Sequence, residues 1–106
     1  MKRDWELIRK ILLMLEQKVD NTPLDNESIK GFPPDMVVYH CQLLEQSKLI
    51  CTQHKLTWQG HEFLDKIRSD TAWNKIKQTI KTKGIGLSFE AITLAGKSLL
   101  IALLAK

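Results

Sequence analysis

The stretch from residue 37 to residue 67 constrains the fold more than any other part of the chain. It opens with V-V-Y-H-C-Q-L-L-E-Q-S, in which Val37, Cys41 and Leu44 recur at the three- and four-residue spacing of one helical face. Two short apolar pieces follow, residues 49–52 and 55–57, with Gln53 and His54 between them. This spacing predicts a very short two-stranded ribbon closed by a tight turn. Thr57 then precedes W-Q-G-H-E-F-L-D-K-I, where its hydroxyl can accept a backbone N–H left over by the first helical turn. Trp58, Phe63, Leu64 and Ile67 supply apolar contacts on that second helix.

The flanks read as helices too. Asp4 is a good N-cap, Glu6 suits the positive end of the helix dipole, and Ile8, Ile11, Leu12, Leu15 and Val19 form one apolar stripe. Residues 20–23, D-N-T-P, stop this helix. Residues 24–32 read as a loop with a brief strand around residues 28–30, and Pro33 and Pro34 open the next helix. Asp70 and Thr71 offer a break and a new cap, and Trp73, Ile76 and Ile80 continue at helical spacing. The run K-T-K-G-I-G is a breaker, and Ser88 caps a last helix that reaches about residue 105.

With 106 residues the chain has room for one domain and one core. Apolar residues at 43% and charged residues at 26% exclude a disordered chain. The net charge of +4 permits phosphate binding without demanding it. Two cysteines, Cys41 and Cys51, are too few for a disulfide-stapled secreted domain. The N-terminal apolar run, residues 11–15, is too short for the core of a signal peptide. The expected location is the cytoplasm.

Two motifs resemble those of winged-helix modules, which often carry L-E-x-x-G-L-I followed by L-T-x-x-G. Leu44-Glu45-Gln46-Ser47-Lys48-Leu49-Ile50 matches the first with Lys48 in place of Gly, and Leu56-Thr57-Trp58-Gln59-Gly60 matches the second in full. A wider likeness covers almost the whole chain. It rests on Met1-Lys2-Arg3-Asp4, Leu7 to Leu12, Tyr39-His40, Leu43-Leu44, Leu49-Ile50, the run from Leu56 to Asp65, and Trp73-Asn74-Lys75. On these pieces the chain resembles the YjcQ-like family, small proteins of bacteria and their phages. The resemblance implies a winged-helix fold and a regulatory role. Two features depart from a standard DNA reader. Residues 22–32 are too short and polar for the helix that normally precedes the recognition helix, and a wing carrying only Gln53 and His54 reaches a minor groove poorly.

On the recognition-type helix, the outward candidates for a DNA or partner face are Tyr39, Gln42, Gln46 and Lys48. Glutamine can read adenine, but the helix has no arginine, the usual reader of guanine. A solvated face, or one docked on another protein, fits it slightly better. Candidate phosphate contacts are Lys66, Arg68, Lys75, Lys77, Lys81 and Lys83, against the plainer reading of a solvated basic face. His40, Cys41, Cys51, His54 and His61 have spacings that fit zinc poorly, so no metal or other cofactor is expected. No nucleophile elbow, P-loop or H-E-x-x-H motif is present, and an enzyme is not expected.

The last helix is apolar nearly all round, notably at Phe89, Ile92, Leu94, Leu99, Leu100, Ile101, Leu103 and Leu104. Glu90 and Lys97 interrupt it as a membrane span, and it lacks the Lys-rich face of an interfacial helix. The expectation is a homodimer through Phe89, Ile92, Leu99, Leu100 and Leu103, with no membrane. The sequence thus predicts a mainly α (α+β) chain, with a winged-helix domain and short two-stranded wing over residues 1–70. A C-terminal helical extension over residues 71–106 packs on the same core. Trp5, Trp58 and Trp73 are expected to pack in the core or an interface. The functional expectation is a regulator that binds double-stranded DNA. The alternative is a protein-interaction module, a phage or bacterial adaptor or inhibitor that binds a protein partner.

Overall fold

The computed structural model describes residues 2–18, 29–52 and 55–104. These hold five helices: α1 (Trp5–Gln17), α2 (Pro34–Gln46), α3 (Trp58–Ile67), α4 (Asp70–Thr82) and α5 (Phe89–Leu104). The starts follow the capping signals. The Asp4 carboxylate accepts the N–H groups of Glu6 and Leu7 at 2.9 and 3.2 Å. Ser88 accepts from Ala91 at 3.1 Å, whereas α4 is capped by Ser69, which accepts from Ala72, and the expected cap residues Asp70 and Thr71 already lie inside the helix. Pro34 takes the first position of α2, where its missing N–H leaves no gap.

The winged-helix expectation is overturned. Among the described residues there is no strand, and the expected ribbon is a single antiparallel bridge between Ile50 and Leu56. The physical reason lies in where the backbone groups go. The N–H groups of Leu49 and Ile50 return to the Leu44 carbonyl at 3.0 and 3.3 Å, closing the end of α2. Thr57 takes the carbonyls on the other side. Its N–H donates to Leu49 O at 3.0 Å, and its hydroxyl donates to Lys48 O at 2.6 Å and Leu49 O at 3.0 Å. The Cys51 N–H donates to Lys55 O at 2.9 Å, and with the Thr57 N–H bond to Leu49 O this is the pair that makes the bridge. Too few free groups remain to build a ladder. The expected strand around residues 28–30 is absent at Ile29 and Lys30, which lie in a bend and turn. Ser28, the turn residues 53–54, and Val19 with the D-N-T-P stop fall outside the described residues.

The chain divides into two compact units, residues 1–64 and 65–106, and the division falls within α3. In the first unit, α1 packs on α2. Leu7, Ile8, Ile11, Leu12 and Leu15 meet Val37, Cys41 and Leu44 in a core that also holds Ile29, Leu49, Ile50, Phe63 and Leu64. Gly60 permits a close approach, because a Cβ there would fall on the Leu49 carbonyl oxygen. In the second unit α4 and α5 pack together, with Ile67, Trp73, Ile76, Ile80 and Ile92 buried. Gly96 on α5 lets the Lys66 stem lie against the helix: a Cβ on Gly96 would stand 3.0 Å from the Lys66 Cβ.

The tryptophans separate. Trp73 is 2% exposed, and Trp5 is half-buried with its ring centroid 6.3 Å from that of Phe63. Trp58, expected to pack, is 77% exposed. It occupies the first position of α3, a turn before the residues that reach the core.

Candidate nucleic-acid interface

The helix α4 is amphipathic, and its two faces do different work. Trp73, Ile76 and Ile80 bury one stripe, at the three- and four-residue spacing that puts side chains on one face. The opposite stripe carries Lys75, Gln78, Thr79, Thr82 and Lys83, which with Leu99 of α5 line an open groove. Thr79 and Thr82 donate back to the carbonyls of Lys75 and Gln78 at 2.8 and 2.9 Å, which holds both hydroxyls against the helix. Lys75, Lys81 and Lys83 are exposed.

The other expected phosphate contacts are placed differently. Lys77 is half-buried, with its ammonium 5.3 Å from the centroid of the Trp73 ring, a cation–π distance. Arg68 is ion-paired with Asp65 one turn earlier. Lys66 lies along α5 at Gly96. The structure therefore brings Lys75 and Lys83 together in one groove and gives Lys66, Arg68 and Lys77 intramolecular contacts. Charge follows the same division. Residues 65–106 carry eight Lys and Arg against three Asp and Glu, while residues 1–64 carry eight against nine. The whole basic excess of the chain sits in the second unit, an asymmetry that summing along the sequence by unit makes visible.

On α2, Gln42, Gln46 and the following Lys48 are exposed, whereas Tyr39 is half-buried with its ring edge-on to His40 at 5.6 Å. No basic residue falls in the last turn of α2. Without the winged architecture, nothing aims this face at a groove of DNA. Sequence reasoning missed His40, which is fully buried. The Asp4 N–H donates to His40 Nε2 at 2.8 Å, so Nδ1 must carry the proton, and it donates to the Met36 carbonyl at 2.8 Å. Both ring nitrogens are thereby committed to backbone. Neither Cys41 nor Cys51 is in a disulfide, and Cys41 is buried. Burial, with a smaller push from the Glu45 carboxylate, moves the Cys41 thiol up to about 11. His54 lies outside the described residues.

Along α5, Ile92 is fully buried in its own unit and is a core residue, not part of an open face. Leu99 is half-buried, and Phe89, Leu100 and Leu103 are 41%, 52% and 57% exposed. Leu94, Ile101 and Leu104 are more exposed still, at 65%, 66% and 76%. Among the described residues no helix is long and apolar enough to cross a membrane.

These features define a small protein of two units whose elements, among the described residues, are all helices and whose basic excess lies in one unit. The chain belongs to the family described as Hypothetical protein (DUF2513), whose model matches residues 2–86. It is 42% identical over 118 residues to a protein of Haemophilus influenzae described as an uncharacterized protein, covering 99% of this chain and 100% of that one. These matches do not carry the YjcQ-like resemblance read from the run Leu56 to Asp65. No solved structure matches the chain.

Proposed function

We propose that the protein is a non-enzymatic, DNA-binding regulator that holds the phosphates of double-stranded DNA through α4. The observation that carries this reading is the α4 stripe. Lys75 and Lys83 stand two turns apart at the ends of one groove, with the Gln78 amide as a further donor between them. Lysines fix a helix on a phosphate backbone, and a side-chain amide adds a positioning contact without reading sequence. The excess of eight cations over three anions in that unit supports the same reading.

The test is fluorescence anisotropy with a random-sequence labelled duplex at low and near-physiological salt. Binding should weaken steeply with salt. Changing Lys75→Glu with Lys83→Glu should lower affinity by at least tenfold and reduce the salt slope by about 2, one for each lost phosphate contact. Both side chains are exposed, so the fold should survive. No binding at low salt would sink the DNA reading and leave the protein-interaction module in its place.

A second copy of the chain is the partner that α5 fits. The three most exposed apolar residues of that helix, Leu94, Ile101 and Leu104, follow the seven- and three-residue spacing of a coiled-coil seam, with Lys97 between them. A homodimer built this way would present two α4 stripes to one duplex.

A further inference from the structure

Six large apolar side chains of α5 stay exposed in the folded chain: Phe89, Leu94, Leu100, Ile101, Leu103 and Leu104. Among the described residues the others left exposed are Val38 on α2, Trp58 on α3 and Ile85 in the turn before α5, one in each place. Single exposed residues are ordinary, but a run of six on one helix marks an interaction surface. Two charges interrupt it. With 3.6 residues per turn, Glu90 and Lys97 fall around the circumference between Leu94 and Ile101 on one side and Leu104 on the other. Both are exposed, and among the described residues neither makes an ion pair. Glu90 lies in the first turn, where it suits the positive end of the helix, while Lys97 lies mid-helix, beyond reach of either helix end. Seven residues apart, the two share a face but stand about 10 Å from each other along the axis. The surface thus carries one acid and one base that complement each other without meeting in one copy.

A second copy supplies the match in one orientation and not in the other. In a parallel, in-register pair each seam position meets itself, so Lys97 would face Lys97 and Glu90 would face Glu90, like charges in apolar surroundings. Turned end for end about a two-fold axis near Ala95, Glu90 of each copy comes within a turn of Lys97 of the other. The same turn lays Ile101 and Leu104 of one copy along the start of α5 in the other, where Phe89 is exposed. We propose that α5 pairs antiparallel with α5 of a second copy, Glu90 of each bound to Lys97 of the other across a seam of Leu94, Ile101 and Leu104. This rests on the homodimer read from α5 and is independent of DNA binding by α4. The two charges also make the pairing selective, because a helix without the matching acid leaves Lys97 unpaired in an apolar seam.

The experiment measures the dimer dissociation constant of the full chain at low salt by sedimentation equilibrium, for the unaltered protein, Glu90→Lys, Lys97→Glu and the two together. Each single exchange should weaken the dimer by about tenfold or more, because it turns two attractive pairs repulsive. The double exchange reverses both signs and forms both pairs again, so it should bring the constant back to within about threefold of the unaltered protein. Raised salt should narrow the gap between the single variants and the unaltered chain. Both positions are exposed, and far-UV circular dichroism checks that each variant keeps its helices. A parallel pair keeps like charges face to face in all four proteins, so constants that do not change would overturn the proposal. A double variant as weak as the singles would overturn it as well, since the charges would then act within each copy. A monomer at high concentration for the unaltered protein would remove the seam and the proposal together, and would leave the α4 reading to its own anisotropy test.

Discussion

His40 is fully buried yet polar at both ring nitrogens, and the two facts are reconciled by backbone partners on either side. Its Nε2 accepts the N–H of Asp4, the residue that also caps α1, so one imidazole fastens the start of α1 to the middle of α2. His40→Leu should fill the space but leave the Asp4 N–H without an acceptor, at a cost of about 1–3 kcal/mol. Urea unfolding checks this, and an unchanged midpoint would count against the link. Next along the helix, Cys41 has a thiol raised from the ordinary 9.0 to about 11 by burial and, to a lesser degree, by Glu45. Its alkylation by iodoacetamide at pH 8 should be much slower than that of an unfolded control. The sign of the stability effect follows from proton binding. Between pH 9.0 and about 11 the unfolded thiol loses its proton while the folded one keeps it, so this contribution is complete below pH 9.0 and falls as pH rises through the window. Cys41 was legible in the sequence because its position on the apolar stripe settles its burial. His40 was not, because a histidine there is tolerated only if a partner 36 residues away turns its N–H inward.

At the scale of the element, the join between α2 and α3 shows how local signals can be right and the motif they suggest wrong. The L-T-x-x-G pattern forecast a cap at Thr57 and a close approach at Gly60, and both are present. The ribbon forecast from the same stretch is reduced to one bridge, because the Leu49 and Ile50 N–H groups go back to the Leu44 carbonyl on one side and α3 begins at Trp58 on the other. Gly60→Ala is a sharp test of that join. Its new Cβ would meet backbone, not the pliable end of a side chain, and the Leu49 carbonyl would have to move away from Thr57. The expected loss is about 1–3 kcal/mol in thermal or urea unfolding, and a neutral substitution would show that the approach is looser. On α4 the cations were visible in the sequence, but their fates were not. Lys75 and Lys83 reach an open groove, while Lys77 lies over Trp73 and Arg68 pairs with Asp65, since each contact depends on which neighbour a helical turn brings alongside.

For the molecule as a whole, the division into two units and the confinement of the basic excess to residues 65–106 outweigh any single motif. The apolar surface of α5 makes the oligomeric state the decisive whole-molecule property. If a second copy covers this seam, sedimentation equilibrium should give twice the chain mass. Leu94→Glu with Ile101→Glu should return it to the monomer mass without loss of helix content, because both side chains are exposed within the chain. A monomer at high concentration for the unaltered protein would remove the dimer. The amino-acid sequence by itself determined the helix starts at Asp4, Pro34, Thr57 and Ser88, the buried stripes of α1 and α4, and the apolar excess of α5. Caps and periodicity act within three or four residues, and nothing distant is needed to express them. Only the tertiary structure decided that no wing forms, that His40 is inside and Trp58 outside, and that Ile92 belongs to a core. Each of those depends on which backbone group or side chain arrives from another part of the chain, and the periodicity of one helix carries no record of its neighbour.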